Sequence, residues 1–153
     1  MSNVEFKVGD LFSSELPAIG HGVNIYGVMG AGIAPIVRRL YPAVFAPYRA
    51  KCETHEFQAG DMLPVEVLPG KWVFNLASQD KPGKNARLEW LESSLRSSFE
   101  FAAANNLEGF AIPRIGAGIG GLTWDDVKKT IADVAVNYPN VTIEVWSLPD
   151  AKD

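Results

Sequence analysis

Residues 110–124 read Phe-Ala-Ile-Pro-Arg-Ile-Gly-Ala-Gly-Ile-Gly-Gly-Leu-Thr-Trp, and this stretch is the most informative part of the sequence. Its apolar start at 110–112 is typical of a short buried strand, and a glycine-spaced loop follows as far as Gly121. Thr123 stands three residues ahead of Asp126, in the pattern of a helix capping box. An apolar helical face then follows at Val127, Ile131, Val134 and Ala135. The order of strand, glycine loop and helix is typical of an α/β protein.

The same order of elements occurs earlier in the chain. Residues 18–24 are typical of a buried strand, and residues 27–33, Gly-Val-Met-Gly-Ala-Gly-Ile, form another glycine-spaced loop. A helix is predicted next, because Pro35 suits a first helical turn and apolar residues recur at helical spacing. Those apolar residues are Ile33, Ile36, Val37 and Leu40. Both glycine loops therefore join a strand to a helix, which is where open α/β sheets bind ligands.

Hydrophobic spacing predicts the remaining elements. Residues 4–8 are predicted to form a half-buried strand, because Val4, Phe6 and Val8 alternate with polar residues. Further strands are predicted at 62–68, 72–77 and 141–146, and Pro69-Gly70 predicts a hairpin between the first two. Helices are predicted at 43–53 and from 88 to about 105.

Strands alternating with helices predict an α/β protein, specifically a three-layer α/β/α sandwich. Its sheet is expected to be mixed, with about six strands, and about four helices should cover it. The length of 153 residues is that of one domain, so a single domain spanning 1–153 is predicted. The tail from about residue 149 is expected to be frayed.

Composition excludes several classes of function. The formal net charge is −4 and no basic tract occurs, so we expect no binding of free nucleic acid. One cysteine and two histidines form no zinc-ligand pattern, so neither a metal nor another cofactor is expected. The N-terminus is polar and no apolar run approaches the roughly 18 residues of a membrane span. A cytoplasmic monomer without membrane contact is therefore expected.

The glycine loops predict a site for a diphosphate. Glycine lets the backbone approach a ligand closely, and N–H groups at a helix start favour phosphate oxygens. The alternative is that these glycines only form tight turns. Gly116, Gly118 and Gly121 also satisfy the dinucleotide-binding pattern G-x-G-x-x-G, but that pattern normally opens a Rossmann domain. Here it lies near the C-terminus, with Glu144 as the only candidate for the ribose-binding acid.

Several segments, in order and at suitable spacing, resemble the macrodomain family. They are Gly9-Asp-Leu-Phe12, His21-Gly-Val-Asn-Ile-Tyr-Gly-Val-Met-Gly-Ala-Gly-Ile-Ala34, Pro113-Arg-Ile-Gly-Ala-Gly-Ile-Gly-Gly-Leu122 and Trp124. The resemblance covers nearly the whole chain. It is greatest to the branch that contains the terminal ADP-ribose protein glycohydrolase and the yeast ADP-ribose 1''-phosphate phosphatase. ADP-ribose and mono-ADP-ribosylated proteins are therefore the implied partners.

The resemblance also implies positions for the ligand. Asp10, Leu11 and Leu148 are expected at the adenine, Asn24 near the distal ribose, and the backbone from Arg114 onward around the diphosphate and distal ribose. The implied ligand-binding residues are Asp10, Leu11, Asn24, Tyr26, Met29, Gly30, Ala31, Gly32, Ile33, Ser78, Gln79, Arg114, Ile115, Gly116, Ala117, Gly118, Ile119, Gly120 and Leu148.

The chain departs from that branch where catalysis is concerned. In the terminal glycohydrolase a lysine forms a covalent adduct with the distal ribose, and an aspartate in the second glycine loop assists. Those positions hold Gln79 and Gly120 here, and neither residue can act as nucleophile or base. Lys81 and Lys84 are close to Gln79 in sequence. One of them could replace the missing nucleophile, or both are ordinary surface lysines.

Two side chains remain as catalytic candidates, Asn24 to hold the distal ribose and Asp80 to orient a water. Alternatively no side-chain base is needed, because the bent ligand positions a water with its own phosphate. His21 is expected to be a hydrogen-bonded core histidine, with proton transfer near the ribose as the alternative. Tyr26 either covers the distal ribose or shields the loop from water. Cys52 is expected to be structural.

The resemblance implies an ADP-ribose-binding protein that hydrolyses mono-ADP-ribose from acidic side chains of modified proteins, with a glutamate linkage. The alternatives are a non-catalytic reader of ADP-ribosylated proteins and an ADP-ribose 1''-phosphate phosphatase. Loss of the lysine and the aspartate favours the reader.

Overall fold

A computed structural model describes residues 2–151 of the 153-residue chain. The described residues form six strands, four α-helices and two short 3-10 helices. The strands are β1 (Val4–Val8), β2 (Ala18–Gly22), β3 (Met62–Leu68), β4 (Lys71–Leu76), β5 (Gly109–Ile112) and β6 (Thr142–Ser147). The helices are α1 (Ala34–Leu40), α2 (Phe45–Glu53), α3 (Leu88–Ala104) and α4 (Trp124–Ala135), and the 3-10 helices are Leu11–Ser13 and Pro42–Val44.

The six strands form one mixed sheet in the order β1-β6-β5-β2-β4-β3. Every neighbouring pair is parallel except β3 and β4, which pair antiparallel across the Pro69-Gly70 turn. In the centre of the sheet, Ile19 of β2 is in register with Val73 of β4 and Ala111 of β5. The predicted mixed sheet and hairpin are confirmed.

Helices cover both faces of the sheet. Val73 and Phe74 are consecutive in β4 and pack into different apolar clusters, because successive side chains of a strand point to opposite faces. On one face α3 and α4 bury Leu95, Phe99 and Ile131 completely. On the other face the main buried side chains are Val37, Val44, Tyr48 and Cys52. Each large side chain buried in this way stabilises the fold by about 1.5–3 kcal/mol. Because helices cover both faces of the sheet, the predicted three-layer sandwich is confirmed.

The burial expected for β1 is wrong, although its position in sequence is right. Phe6 is 54% exposed and Val8 68% exposed. The reason is that β1 is an edge strand with β6 as its only neighbour, and no helix covers these side chains fully. Phe6 packs edge-on against Trp124, with ring centroids 6.2 Å apart, and Lys128 lies 5.2 Å from the Phe6 ring centroid.

The helix starts largely follow the sequence expectation. The Thr123 side chain accepts a hydrogen bond from the backbone N–H of Asp126 at 3.3 Å and caps α4 as predicted. Pro35 lies in the first turn of α1. The helix predicted at 43–53 begins with the 3-10 helix Pro42–Val44 and becomes α-helical only at Phe45.

None of the helices in residues 2–151 combines the length and apolar character that crossing a membrane requires. The tail predicted to fray lies only partly within the described residues. Leu148 to Ala151 are described and Ala151 donates its N–H to the Leu148 carbonyl at 3.0 Å, whereas Lys152 and Asp153 lie outside the described residues.

Candidate functional site

A two-part cleft lies at the carboxyl ends of the parallel strands. One cavity, of about 340 Å³, is formed by segments within 22–34, 78–83 and 113–120, and we call it the loop half. The other, of about 700 Å³, is formed by segments within 9–12, 33–36 and 146–151, and we call it the apolar half. Ile33, Pro113 and Arg114 line both cavities, so the two halves adjoin at these residues.

Asn24 builds the first glycine loop. Its Oδ1 accepts hydrogen bonds from the backbone N–H of Tyr26 at 3.0 Å, and its Nδ2 donates to the Val28 carbonyl at 2.9 Å. The buried Tyr48 hydroxyl donates to the Asn24 backbone carbonyl at 2.8 Å. Asn24 lines the loop half, as expected, but most of its hydrogen-bonding capacity is used to hold residues 24–28 in a turn. This turn also ends β2 at Gly22, two residues earlier than predicted.

Both glycine loops contribute residues with unpaired backbone N–H groups to the lining of the loop half. Among residues 2–151, the N–H groups of Gly30, Ala31, Gly118 and Ile119 donate to no other residue, and all four residues line the cavity. Unpaired N–H donors that converge on a cavity favour an anionic ligand. The two loops also meet across the cleft, because a β-carbon built at Gly32 would lie 3.6 Å from Ile119 Cδ1.

The second loop needs glycine at defined positions for packing as well as for ligand access. Gly116 has a φ of +81°, and a β-carbon there would lie 2.8 Å from Leu122 Cδ1. A β-carbon at Gly118 would meet nothing within 4 Å, so its side of the loop is open to the cleft. Gly116 therefore shapes the loop, whereas Gly118 leaves room for a ligand.

The apolar half is lined mainly by hydrophobic side chains and also by two acidic residues, Asp10 and Asp150. Phe12, Ile36 and Trp146 contribute apolar surface, and Leu148 is 66% exposed at the edge. Asp10 lines this half and its Oδ1 accepts the Phe12 N–H at 3.0 Å, which caps the 3-10 helix Leu11–Ser13. An apolar slot with a carboxylate at one end suits a planar heteroaromatic ring that carries a hydrogen-bond donor.

Most residues expected at the ligand line the cleft, but four do not. Met29 is 5% exposed, because its side chain packs in the core cluster with Val37 and Tyr48. Ala117 packs against the other core cluster. Tyr26 is 64% exposed and lies outside both cavities.

Asp80, the remaining expected residue, also lies outside the lining of the cleft. Its backbone carbonyl accepts the Ile25 N–H at 3.1 Å, and its Oδ1 accepts the N–H of the adjacent Lys81 at 2.8 Å. The carboxylate is therefore engaged by its own loop, next to Ile25, and it is not among the described residues that line the loop half.

Sequence reasoning missed several residues of the cleft. Pro82 and Gly83 line the loop half, and neither was among the residues expected at the ligand. Phe12, Ile36 and Trp146 line the apolar half. The signal available for Trp146 was its place two residues before Leu148 on the last strand. The other missed residues had no such signal, because their place at the cleft depends on how elements distant in sequence pack together.

The loop half contains few groups able to transfer protons. Its described lining residues include no lysine, aspartate, glutamate, histidine or cysteine, and Gln79 is among them. Arg114 carries the one charge of this lining, and its guanidinium carbon lies 4.2 Å from the Trp124 ring centroid. The arrangement can bind an anion and orient a water, but it offers no side-chain base.

His21 is a core residue, as predicted, but only one of its ring nitrogens has a partner. Nε2 lies 2.7 Å from Asn75 Oδ1, and Asn75 Nδ2 donates to the Leu63 carbonyl, so Nε2–H is the donor of the pair. Nδ1 has no hydrogen-bond partner among the described residues. Burial lowers the pKa of His21 to about 4, against the opposing effect of the Asn75 hydrogen bond. The imidazole is therefore neutral at pH 7.

Cys52 is buried at the end of α2, and burial raises the pKa of its thiol. A neutral, buried thiol agrees with the structural role expected for it. In the part of the chain that the structure describes, no cluster of three or more His, Cys, Asp and Glu side chains is arranged to hold a metal ion.

Comparison with known proteins shows which family this chain resembles in sequence. A model of the Macro domain family matches residues 21–131. The DNA ADP-ribosyl glycohydrolase of Mycobacterium tuberculosis is 29% identical over 146 residues, which is 94% of this chain and 42% of that protein. The human ADP-ribose glycohydrolase OARD1 is 23% identical over 148 residues, covering 96% of this chain and 93% of that protein. This chain thus spans less than half the length of the DNA glycohydrolases.

Solved structures agree with this relationship. The macrodomain of Mycobacterium tuberculosis DarG superimposes with a TM-score of 0.85 at 29% identity, covering 94% of this chain and 96% of that one. The macrodomain of Thermus aquaticus DarG gives a TM-score of 0.86 at 26% identity, with coverages of 94% and 97%.

Proposed function

Because this chain belongs to the macro domain family, we propose that it binds ADP-ribose along the two-part cleft and hydrolyses the bond between the distal ribose and a macromolecule. The observation that carries the proposal is the set of unpaired N–H groups at Gly30, Ala31, Gly118 and Ile119, four residues from both glycine loops that line the same cavity. A diphosphate fits there, with adenosine on one side of it and the distal ribose on the other.

The orientation of the ligand follows from the different chemistry of the two halves. Adenine occupies the apolar half, between Trp146 and the segment that begins at Asp10. The diphosphate passes the shared residues and lies against the two glycine loops. The distal ribose then reaches the end of the loop half that Asn24, Ser78 and Gln79 line, and its substituent projects out of the cleft.

The proposed reaction uses the substrate's own phosphate in place of a protein base. A water oxygen attacks the anomeric carbon of the distal ribose, the bond to the substituent breaks, and the water proton passes to a phosphate oxygen. Gln79 and the amides of the loops orient the reacting groups. Support for this route comes from the loop half itself, whose described lining includes no carboxylate or amine.

One substrate class is a protein modified on an acidic side chain, with glutamate as the linkage. A carboxylate is a good leaving group, so its displacement needs no general acid. This undemanding chemistry suits a site that relies on binding and orientation.

A second substrate class is ADP-ribosylated DNA, favoured by relatives with 29% identity that are named DNA ADP-ribosyl glycohydrolases. Lys81 and Lys84 flank the cleft-lining residues Pro82 and Gly83, and both lysines are exposed. They are suitably placed for phosphates beside a modified base, and exposed Tyr26 offers a face for stacking. The net charge of −4 favours recognition of the modified nucleotide over binding of unmodified DNA.

The test compares binding and turnover on one protein preparation. Calorimetry measures the affinity for free ADP-ribose. Mass spectrometry then follows ADP-ribose release from a glutamate-linked protein, from ADP-ribosylated single-stranded DNA and, as phosphate release, from ADP-ribose 1''-phosphate. Release from the first or second substrate supports the hydrolase and identifies its class. Binding without release supports the reader, phosphate release supports the phosphatase, and absence of binding contradicts the proposal.

Two refinements test the mechanism. In water enriched in oxygen-18, attack at the anomeric carbon leaves the released glutamate carboxylate unlabelled, whereas attack at the ester carbonyl labels it. Asp80→Asn should retain turnover within about twofold, because Asp80 lies outside the cleft and a surface substitution of this kind has small effects. A large loss of kcat in Asp80→Asn would instead support the water-orienting role considered for that carboxylate.

A further inference from the structure

Glu144 links the two walls of the apolar half through a single oxygen atom. Its Oε1 accepts a hydrogen bond from the Ser14 hydroxyl at 2.6 Å and another from the Trp146 indole N–H at 3.0 Å. Glu144 is half-buried in β6, where it is in register with Ala111 of β5 on one side and Glu5 of β1 on the other. The carboxylate is thus held by the sheet and does not line the cleft itself.

The first partner, Ser14, belongs to the wall that carries Asp10. Ser14 directly follows the 3-10 helix Leu11–Ser13, and its N–H donates to the Leu11 carbonyl at 3.1 Å. The Ser14 hydroxyl also accepts the Leu16 N–H at 3.2 Å, which ties this segment to the start of β2. Through Ser14, Glu144 therefore restrains the segment that places Asp10, Leu11 and Phe12 at the cleft.

The second partner, Trp146, is the aromatic residue that β6 contributes to the apolar half. Its indole lines the apolar half and packs against the small core cluster of Leu11, Ile19 and Ala111. A tryptophan ring can rotate about its side-chain bonds, and a hydrogen bond from Nε1 selects one orientation. Since the acceptor is a carboxylate, this hydrogen bond is stronger than one to a neutral oxygen. Glu144 therefore fixes the plane of the indole relative to the wall that carries Asp10.

We propose that Glu144 is a positioning residue for the purine ring, fixing the Trp146 indole relative to the segment that carries Asp10, both of which line the apolar half. This inference rests on the proposed binding of ADP-ribose. Glu144 would thus affect which base the protein selects, at the opposite end of the cleft from the bond that is hydrolysed. Selectivity for adenine then depends on a residue that never touches the ligand.

The principal variant is Glu144→Met, which keeps the side-chain length and removes the acceptor. Because both walls lose their common restraint, the Kd for ADP-ribose should rise about tenfold. KM should rise with it while kcat stays within about twofold, since the chemistry takes place in the loop half. Glu144→Gln keeps a carbonyl oxygen for both donors and should restore most of the affinity.

Base selectivity gives a measurement that a general loss of structure would not change. The wild-type protein should prefer ADP-ribose to its hypoxanthine counterpart, which lacks the exocyclic amino group that Asp10 is placed to accept from. In Glu144→Met this preference should fall towards equality. Ser14→Ala, a milder change that leaves the Trp146 contact intact, should show the same trend with a smaller loss, of about threefold. Glu108→Met, at an exposed acid just before β5 and so at the end of the strands away from the cleft, serves as the matched control.

Calorimetry with both nucleotides, steady-state kinetics and thermal unfolding of each variant complete the experiment. Raised Kd, raised KM and reduced base preference in folded Glu144→Met and Ser14→Ala support the proposal. Wild-type affinity, an unchanged base preference, or a fall in kcat without a change in KM overturns it. If the wild-type protein itself does not bind ADP-ribose, the proposed function fails and the positioning role fails with it. Wild-type binding with unaffected variants overturns the positioning role alone.

Discussion

Ala86 donates its backbone N–H to the carbonyl of Gly120 at 3.2 Å, and a β-carbon at Gly120 would lie 2.8 Å from the β-carbon of Ala86. The same β-carbon would lie 2.8 Å from the Cα and the carbonyl oxygen of Gly116. Backbone cannot move aside as a flexible side chain can. The loop therefore has no room for an aspartate at Gly120, and the absence of that acid is built into the packing of residues 116–120 against Ala86.

This relationship predicts opposite outcomes for the same substitution at two glycines of one loop. Gly120→Ala should lower the free energy of unfolding by about 1–3 kcal/mol, because the added methyl overpacks against Ala86 and Gly116. Gly118→Ala should leave it unchanged or slightly raised, because its methyl meets nothing within 4 Å. Urea unfolding of both variants measures the difference. Equal stability of the two would contradict the packing described for Gly120.

Gly118→Glu should abolish ADP-ribose binding without unfolding the protein. The side chain projects into the open space of the loop half, where its bulk and negative charge oppose the diphosphate. Calorimetry measures the affinity, and Gly118→Gln serves as the control that keeps the bulk and removes the charge. An affinity for ADP-ribose unchanged from wild type in folded Gly118→Glu would remove the second loop from the site.

Asn24→Ala should weaken both binding and turnover, because the side chain holds the first loop in shape. The substitution removes the acceptor for the Tyr26 N–H and the donor to the Val28 carbonyl, and a Kd about tenfold higher is expected. Calorimetry and the release assay measure the two effects, with Asn137→Ala on the far side of the molecule as control. Unimpaired affinity and turnover in Asn24→Ala would show that the loop keeps its shape without the amide.

The stability of the protein should fall as the pH decreases from 6.5 towards 4. The folded protein holds the pKa of His21 at about 4, below the usual 6.5, so only the unfolded chain binds this proton in that interval. The contribution of the neutral imidazole is fully present above pH 6.5 and is lost progressively below it. The full difference amounts to about 3 kcal/mol.

Urea unfolding between pH 7.5 and 4.5 measures this effect in the wild type and in two histidine variants. His21→Gln should flatten the dependence, whereas His55→Asn should retain it, because His55 is exposed and asparagine tolerates its positive φ of 59°. A wild-type curve without slope between pH 6.5 and 4.5, or an identical slope in His21→Gln, would contradict the assignment.

The sequence alone was sufficient for the order of the elements and for the identity of the glycine loops. Local hydrophobic spacing predicted strands and helices within a few residues, because secondary structure follows which face of each element is buried. The second glycine loop could also be predicted from local sequence. A position such as Gly116, whose φ is positive, is unfavourable for residues other than glycine.

Burial of β1 and the composition of the cleft depended on the tertiary structure. Phe6 alternates with polar residues like a core position, yet it is exposed because β1 lies at the edge of the sheet. Met29 stands inside a ligand-loop motif, yet its side chain points into the core. Spacing along a strand or loop says which side chains share a face, but not which face another element covers.

Sequence by itself therefore determined the fold class and the two glycine loops, and it shows Gln79 and Gly120 where the resemblance implies a lysine and an aspartate. Tertiary structure decided which residues meet at the cleft, that Glu144 joins its two walls, and that Gly120 is confined by Ala86. The physical reason is that local pattern records the preferences of neighbouring residues. Contacts between positions far apart in the chain exist only once the sheet has brought its strands into register.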